Sequence, residues 1–90
     1  MRNTPFGVQQ IRWLKDIVNS PSGITQWRLV AQLRGRSKAS SYRYIEALEY
    51  AILRHNKGVC PSNCPVPADV IIEEGEVGPQ GGKGWRVVSR

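Results

Sequence analysis

The amino-acid sequence predicts an α+β fold, three helices followed by a C-terminal β-hairpin, on three observations. Apolar residues recur at helical spacing as far as His55. Glycine and proline crowd the chain after it: residues 58–84 hold four of the six prolines and six of the nine glycines, which argues against further helix. Within and just beyond that stretch, "DVIIEE" (69–74) and "WRVVS" (85–89) are rich in β-branched residues, and the glycine-rich "GPQGGKG" between them reads as the tip of a hairpin. A chain of 90 residues has room for one modest core, so residues 1–90 are expected to form one domain. A Pro- and Cys-containing insertion is expected at about 57–69.

The first helix is expected over Val8 to Asn19, "VQQIRWLKDIVN", where Ile11, Leu14 and Val18, with Ile17 beside them, share a face. "SPSG" stops it with turn-forming residues. Thr25 is a good N-cap for the second helix, in which Leu29, Val30 and Leu33 follow at helical spacing for about two and a half turns, until Gly35. Ser37 can cap the third almost at once, so the two helices must cross steeply. In "SKASSYRYIEALEYAIL" (37–53), Ser41, Ile45, Leu48 and Ile52 lie on one side with Tyr44 at its edge, while Ala39, Arg43, Glu46 and Tyr50 lie opposite. The three tryptophans, Trp13, Trp27 and Trp85, are expected in or at the edge of the core.

Charge is distributed unevenly. The formal net charge is +6, and residues 1–58 carry ten Lys or Arg against three carboxylates, whereas the remainder carries three against four. A basic face confined to the helices suits a polyanionic partner. No apolar run approaches the ~20 residues needed to cross a bilayer, and the amino terminus has no signal-peptide core, so a soluble protein with no membrane partner is expected, cytoplasmic and nucleoid-associated if the source is prokaryotic or viral.

Three helices, the second and third tightly joined, then a β-hairpin, is an order that resembles the winged helix-turn-helix DNA-binding family. "ITQWRLVAQL" (24–33) looks like that family's first motif helix, with a short strand residue and a Thr cap before a Leu-rich turn. "SKASSYRYIEALEYAIL" is similar to its recognition helices, with a capping Ser, an aromatic-Arg-aromatic step and an Ile-xx-Leu core pair. The resemblance covers about residues 8–89 and implies that a recognition helix, about 37–51, enters the major groove of double-stranded DNA amino terminus first. Lys38, Ser40, Tyr42 and Arg43 would then reach phosphates or bases. Arg34 and Arg36 flank the turn glycine where a phosphate contact is natural. Thr25 and Gln26 start the second helix, whose positive dipole end suits a phosphate, although capping is the stronger reason for Thr25. Lys83, placed by the sequence at the hairpin tip, suits a backbone contact.

Other chemistries find little support. The hairpin glycines lack the Lys-Ser/Thr pair and strand-to-helix setting of a phosphate-binding loop. No nucleophile-base-orienter set accompanies the one histidine, so neither an enzyme nor a small-molecule substrate or cofactor is expected. His55, Cys60 and Cys64 are of types that bind zinc, but the usual second ligand pair is missing and Asp69 is a poor substitute. Free thiols are favoured over a metal site or a local disulfide, and neither cysteine is expected to be needed for folding. The expected function is that of a small stand-alone DNA-binding protein acting by occupancy or architecture, such as a repressor, an excisionase-like factor or a replication accessory factor. Such minimal binders are familiar from phages and mobile elements. Dimerisation would extend its site. The alternative is a protein-interaction adaptor or inhibitor on the same fold, which an exposed Trp27 and Tyr50 beside a neutralised third helix would favour.

Overall fold

In the computed structural model, which describes residues 4–79 and 81–90, the chain forms α1 (Val8–Val18), β1 (Ile24–Thr25), α2 (Gln26–Val30), α3 (Lys38–Asn56), β2 (Val70–Val77) and β3 (Gly82–Ser89). Helices and an antiparallel sheet make this an α+β fold, with strand order β1-β3-β2. Among the described residues no helix is long and apolar enough to cross a membrane.

Helix α1 buries Trp13, Leu14 and Ile17, while Ile11 and Val18 are only half-buried. Its inner face is therefore centred on Ile17, between Trp13 and Leu14, rotated toward the tryptophan from the stripe that the aliphatic residues alone suggest. The Trp13 Nε1–H donates to Gln32 Oε1 at 3.2 Å, and the Gln32 amide donates in turn to Asp16 Oδ2 at 3.2 Å. The indole is thus buried without an orphaned donor.

The second helix is shorter than its spacing suggests. Regular helix ends at Val30, and the amides of Gln32, Leu33 and Arg36 bond three residues back, to Leu29, Val30 and Leu33. The last turns have tightened in the way helix ends do when they satisfy their own carbonyls. Leu29 remains fully buried and Leu33 nearly so. Trp27, expected in or near the core, is 79% exposed instead. It lies about 200° round the helix from Leu29, on the side that cannot face the core while Leu29 does.

Helix α3 runs past the expected end, to Asn56, with Ile45, Leu48, Ala51, Ile52 and His55 buried. Tertiary contacts carry the extension. The Arg90 guanidinium donates to the Asn56 carbonyl at 3.2 Å, to the His55 carbonyl at 3.1 Å, which also accepts from the Gly58 amide, and to the Ala68 carbonyl at 2.8 Å. The Asn56 amide behaves as an added strand at the edge of β2: it donates to Ile72 O and accepts from Ile72 N, both at 3.0 Å. His55 Nε2 donates to Val70 O at 2.7 Å.

Both hairpin strands are longer than the β-branched runs and continue into the glycine-rich segment. They pair from Val70↔Ser89 to Val77↔Gly82. Lys83 is consequently a strand residue opposite Glu76, not a tip residue. The core joins Trp13, Leu14, Ile17, Leu29 and Leu48 from the helices to Ile72 and Trp85 from the sheet.

Closure of the sheet depends on Gly84, which pairs with Thr25 and lies with its Cα against the β1 backbone. A Cβ there would collide with the Ile24 carbonyl and come within 2.7 Å of Thr25 Cα. Gly84→Ala is therefore expected to cost about 1–3 kcal/mol, as overpacking does. Gly75→Ala, where a Cβ would meet nothing within 4 Å, should stay within about 0.5 kcal/mol of the parent in urea denaturation. Equal effects of the two would contradict this packing.

Candidate nucleic-acid interface

The first turn of α3 is fixed by its own side chains. Ser37 Oγ accepts from the Ser40 backbone N–H at 3.2 Å, and Ser41 Oγ donates to the Ser37 carbonyl at 3.2 Å. Ser40 Oγ also lies 3.2 Å from Ser37 Oγ, so this hydroxyl is engaged in the cap as well as facing outward. At the start of α2, Thr25 Oγ1 accepts from Arg28 N at 3.2 Å, the capping role that its position suggests.

Around this rigid turn the expected residues divide. Arg34, Arg36, Lys38, Tyr42 and Arg43 are exposed, Arg43 on the side of α3 away from Ile45 and Leu48. The Arg36 guanidinium sits 5.1 Å over the Tyr44 ring, which itself packs edge-on against Trp13. Arg36 is thereby tethered to the core edge while its charge stays in water. Arg34 stands farther out on the turn. Lys83 lies across the hairpin and pairs with Glu74 at 3.5 Å.

That pair is the only ion pair among the described residues. Arg34, Arg36, Lys38 and Arg43 accordingly have no carboxylate within bonding distance. An exposed cation with no carboxylate partner gives up no ion pair when a phosphate binds it.

Between α3 and the hairpin turn lies an open groove of about 770 Å³. Trp27, Tyr42 and Ile45 line one side, Val77, Pro79 and Lys83 the other, and Arg36 and Lys38 stand at its margin. Gln26 also lines it, with its Oε1 buried and lacking a hydrogen-bond partner. The groove combines cations, hydroxyls and two exposed aromatic rings. A second open groove, of about 640 Å³, lies beside Phe6, Tyr50, Leu53 and Val59 and carries Arg54 and Lys57.

The hairpin opposes the helix electrostatically. Glu73, Glu74 and Glu76 are all exposed on β2. Glu74 and Lys83 stand near Glu49 of α3. Partial burial first, and the neighbouring Glu74 carboxylate second, push the Glu49 carboxyl above its ordinary value; Glu46 adds to the shift and Lys83 opposes it. His55, Cys60 and Cys64, which the sequence disfavours as a metal site, bring their ligand-type atoms within 4.8 Å of one another. Asp69 is exposed and stays outside that cluster.

Sequence reasoning missed the exposure of Trp27, for which the helical wheel held the signal. It also missed Asn56 and Arg90, whose partners lie 16 to 35 residues away and leave no local trace. No family model, no curated protein and no solved structure matches this chain.

A carboxyl whose pKa is raised by folding stabilises the protein fully below its unfolded pKa, and that contribution is lost as pH rises through the folded value. Glu49→Gln keeps the uncharged form at every pH. It is expected to raise the urea midpoint at pH 7 and to leave it unchanged below about pH 4, where unfolded-state carboxyls become protonated. A variant less stable than the parent at pH 7 would contradict the placement of Glu49 beside Glu74.

Proposed function

We propose that this chain is a winged helix-turn-helix domain that binds double-stranded DNA, with α3 as its recognition helix and the β2–β3 hairpin as its wing. The observation that carries the reading is the set of four exposed cations, Arg34, Arg36, Lys38 and Arg43, clustered on the turn before α3 and its first two turns without a carboxylate partner among the described residues. The fold supports it in one further respect. The N-terminal half of α3 projects beyond the clamp that holds its C-terminal end, so a duplex can approach it from outside.

In this reading Arg34, Arg36 and Lys38 neutralise phosphates, the source of affinity and of salt sensitivity. Arg43, pointing away from the core, is placed for a bidentate contact to a guanine edge. Tyr42 and Ser40 complete the surface, Ser40 sharing its hydroxyl with the cap. Thr25 and Gln26 stand where a phosphate would pass the start of α2. Lys83 contributes as half of an ion pair, and Glu74 weakens whatever it offers to the backbone. A protein that binds in this way acts by occupying or shaping its site, as a repressor, an excisionase-like factor or a replication accessory factor does.

The exposure of Trp27 favours a second reading, in which the aromatic groove receives a protein segment. Large exposed apolar side chains at a groove are characteristic of interfaces. The uncompensated charge on α3 weighs against it, because a protein surface would have to be strongly acidic to match.

The experiment is a duplex titration at several salt concentrations, on a sequence selected from a random library and on a scrambled control. Binding should weaken steeply with salt through counterion release. Arg43→Ala should cost about 1–3 kcal/mol on the selected duplex only, with folding within about 0.5 kcal/mol of the parent. Lys83→Ala should weaken both duplexes alike, and Glu74→Gln should strengthen both, since phosphate contacts carry no direct sequence information. No binding at low salt would overturn the DNA reading and leave the protein one. Equal losses on both duplexes for Arg43→Ala would reduce α3 to a phosphate clamp.

A further inference from the structure

Beyond α3's exposed end, its buried end meets the insertion in an arrangement that the DNA reading does not use. His55 is 1% exposed. Its Nε2 lies 2.7 Å from the Val70 carbonyl, which can only accept, so Nε2 carries the proton and Nδ1 keeps its lone pair. That lone pair faces Cys64 Sγ at 3.5 Å. Cys60 completes a triangle in which all three atoms lie within 4.8 Å.

From this geometry we propose that His55 Nδ1, Cys60 Sγ and Cys64 Sγ bind one zinc ion, with a fourth position left to water or an outside donor. The donor set, two thiolates and an imidazole, is one that zinc prefers. The spacing fits as well. With Zn–S of about 2.3 Å and Zn–N of about 2.0 Å, a tetrahedral ion sets its N and S ligands about 3.5 Å apart and its two sulfurs about 3.8 Å apart. The observed Nδ1–Sγ separation already equals that N–S edge, and small side-chain rotations close the rest.

The surroundings are those of a held site. A ligating imidazole usually donates its other N–H to a carbonyl or carboxylate, and the Val70 carbonyl does this for His55. The loop between the cysteines is fixed independently: Asn63, inside it, exchanges two 3.1 Å hydrogen bonds with the Phe6 backbone. The Cys64 amide donates to the Pro61 carbonyl at 3.1 Å, and the Gly58 and Val59 amides return to the end of α3. Pro61 is buried. The ligands are therefore positioned by contacts other than those they make with each other.

The same geometry disfavours the two alternatives that sequence leaves open. A Cys60–Cys64 disulfide would remove the only thiol donor facing Nδ1 and leave a buried imidazole nitrogen unpaired, which is costly. Free thiols satisfy Nδ1 through one S–H, and core packing alone accounts for the position of Cys60, but neither uses its sulfur as a donor. A metal ion engages all three atoms. Most of the core lies outside the insertion, which adds Val66 and the half-buried Cys60 and Cys64 to it, so the ion fastens the loop to α3 and β2 but does not nucleate the fold.

The test uses the full chain, purified and kept reduced, and needs no nucleic acid. Elemental analysis after dialysis against zinc should give one zinc per chain. Cobalt(II), added in place of zinc, should produce a thiolate-to-metal charge-transfer band and the strong visible bands of a four-coordinate ion, saturating at one equivalent. Cys60→Ser and Cys64→Ser should each abolish the charge-transfer saturation or weaken binding at least tenfold. Both should keep the parent's far-ultraviolet circular dichroism and cooperative melting, and lose only the rise in melting temperature that zinc gives the parent. The proposal is overturned if the parent shows no charge-transfer band with equimolar cobalt, if either substitution leaves cobalt affinity within tenfold of the parent's, or if thiol counting on the freshly purified chain finds a disulfide that, once reduced, still binds no metal.

Discussion

The last turn of α3 is fastened to the start of β2, and the placement of every other element follows from it. His55 and Asn56 reach across to the Val70 and Ile72 backbone, and Arg90 donates to the His55 and Asn56 carbonyls at the end of α3. Buried backbone groups left unpaired cost about 1–3 kcal/mol each. The polar contacts therefore hold helix and hairpin at one angle, where apolar packing alone would tolerate sliding. The whole helix is 19 residues and about 28 Å long, and among the described residues its far end makes no side-chain hydrogen bond or ion pair to the sheet. The helix is a rigid arm, fixed at one end and presented at the other.

The two ends of that arm have opposite chemistry. At the fixed end the side chains are a buried imidazole, a strand-mimicking amide and, alongside, two thiols. At the free end they are hydroxyls tied into a cap and cations with no carboxylate partner among the described residues. Between them Glu49, with Glu46 beside it, stands near Glu74 of the hairpin, whose carboxylate repels it and whose partner Lys83 partly offsets that repulsion. The carboxylates confine the favourable field for a phosphate to the first half of α3. A polyanion lying along the whole helix would meet them, so the proposed approach is by the amino-terminal half only.

How much of this was legible follows from the range of the interactions. Caps act over three residues, and Thr25 and Ser37 were readable as caps because the hydrogen bonds to Arg28 and Ser40 are local. The stripes of α1 and α3 were readable for the same reason, as was the core placement of Trp13 and Trp85. Trp27 was assigned by its size when the wheel placed it opposite Leu29, so general burial preference overrode a better local signal. The end of α3 at Asn56, the strand status of Lys83 and the role of Arg90 depend on partners distant in sequence. At the candidate sites, Arg34, Arg36, Lys38 and Arg43 could be named from charge, but their lack of partners is a property of the fold. In the insertion the residue types were visible and the convergence on His55 was not, since nothing in the spacing alone tells that α3 reaches it.

The central claim is that the amino-terminal half of α3 is the surface that meets DNA. Backbone amide chemical shifts of the isotope-labelled chain, followed by NMR as a short duplex is added, test it most directly. The account predicts that the perturbed amides cluster at residues 34–45, with a smaller group at 77–84, and that those of residues 53–60 stay in place. Perturbations centred on Tyr50, Leu53 and Val59, with residues 34–45 unmoved, would contradict it and move the binding surface to the other groove.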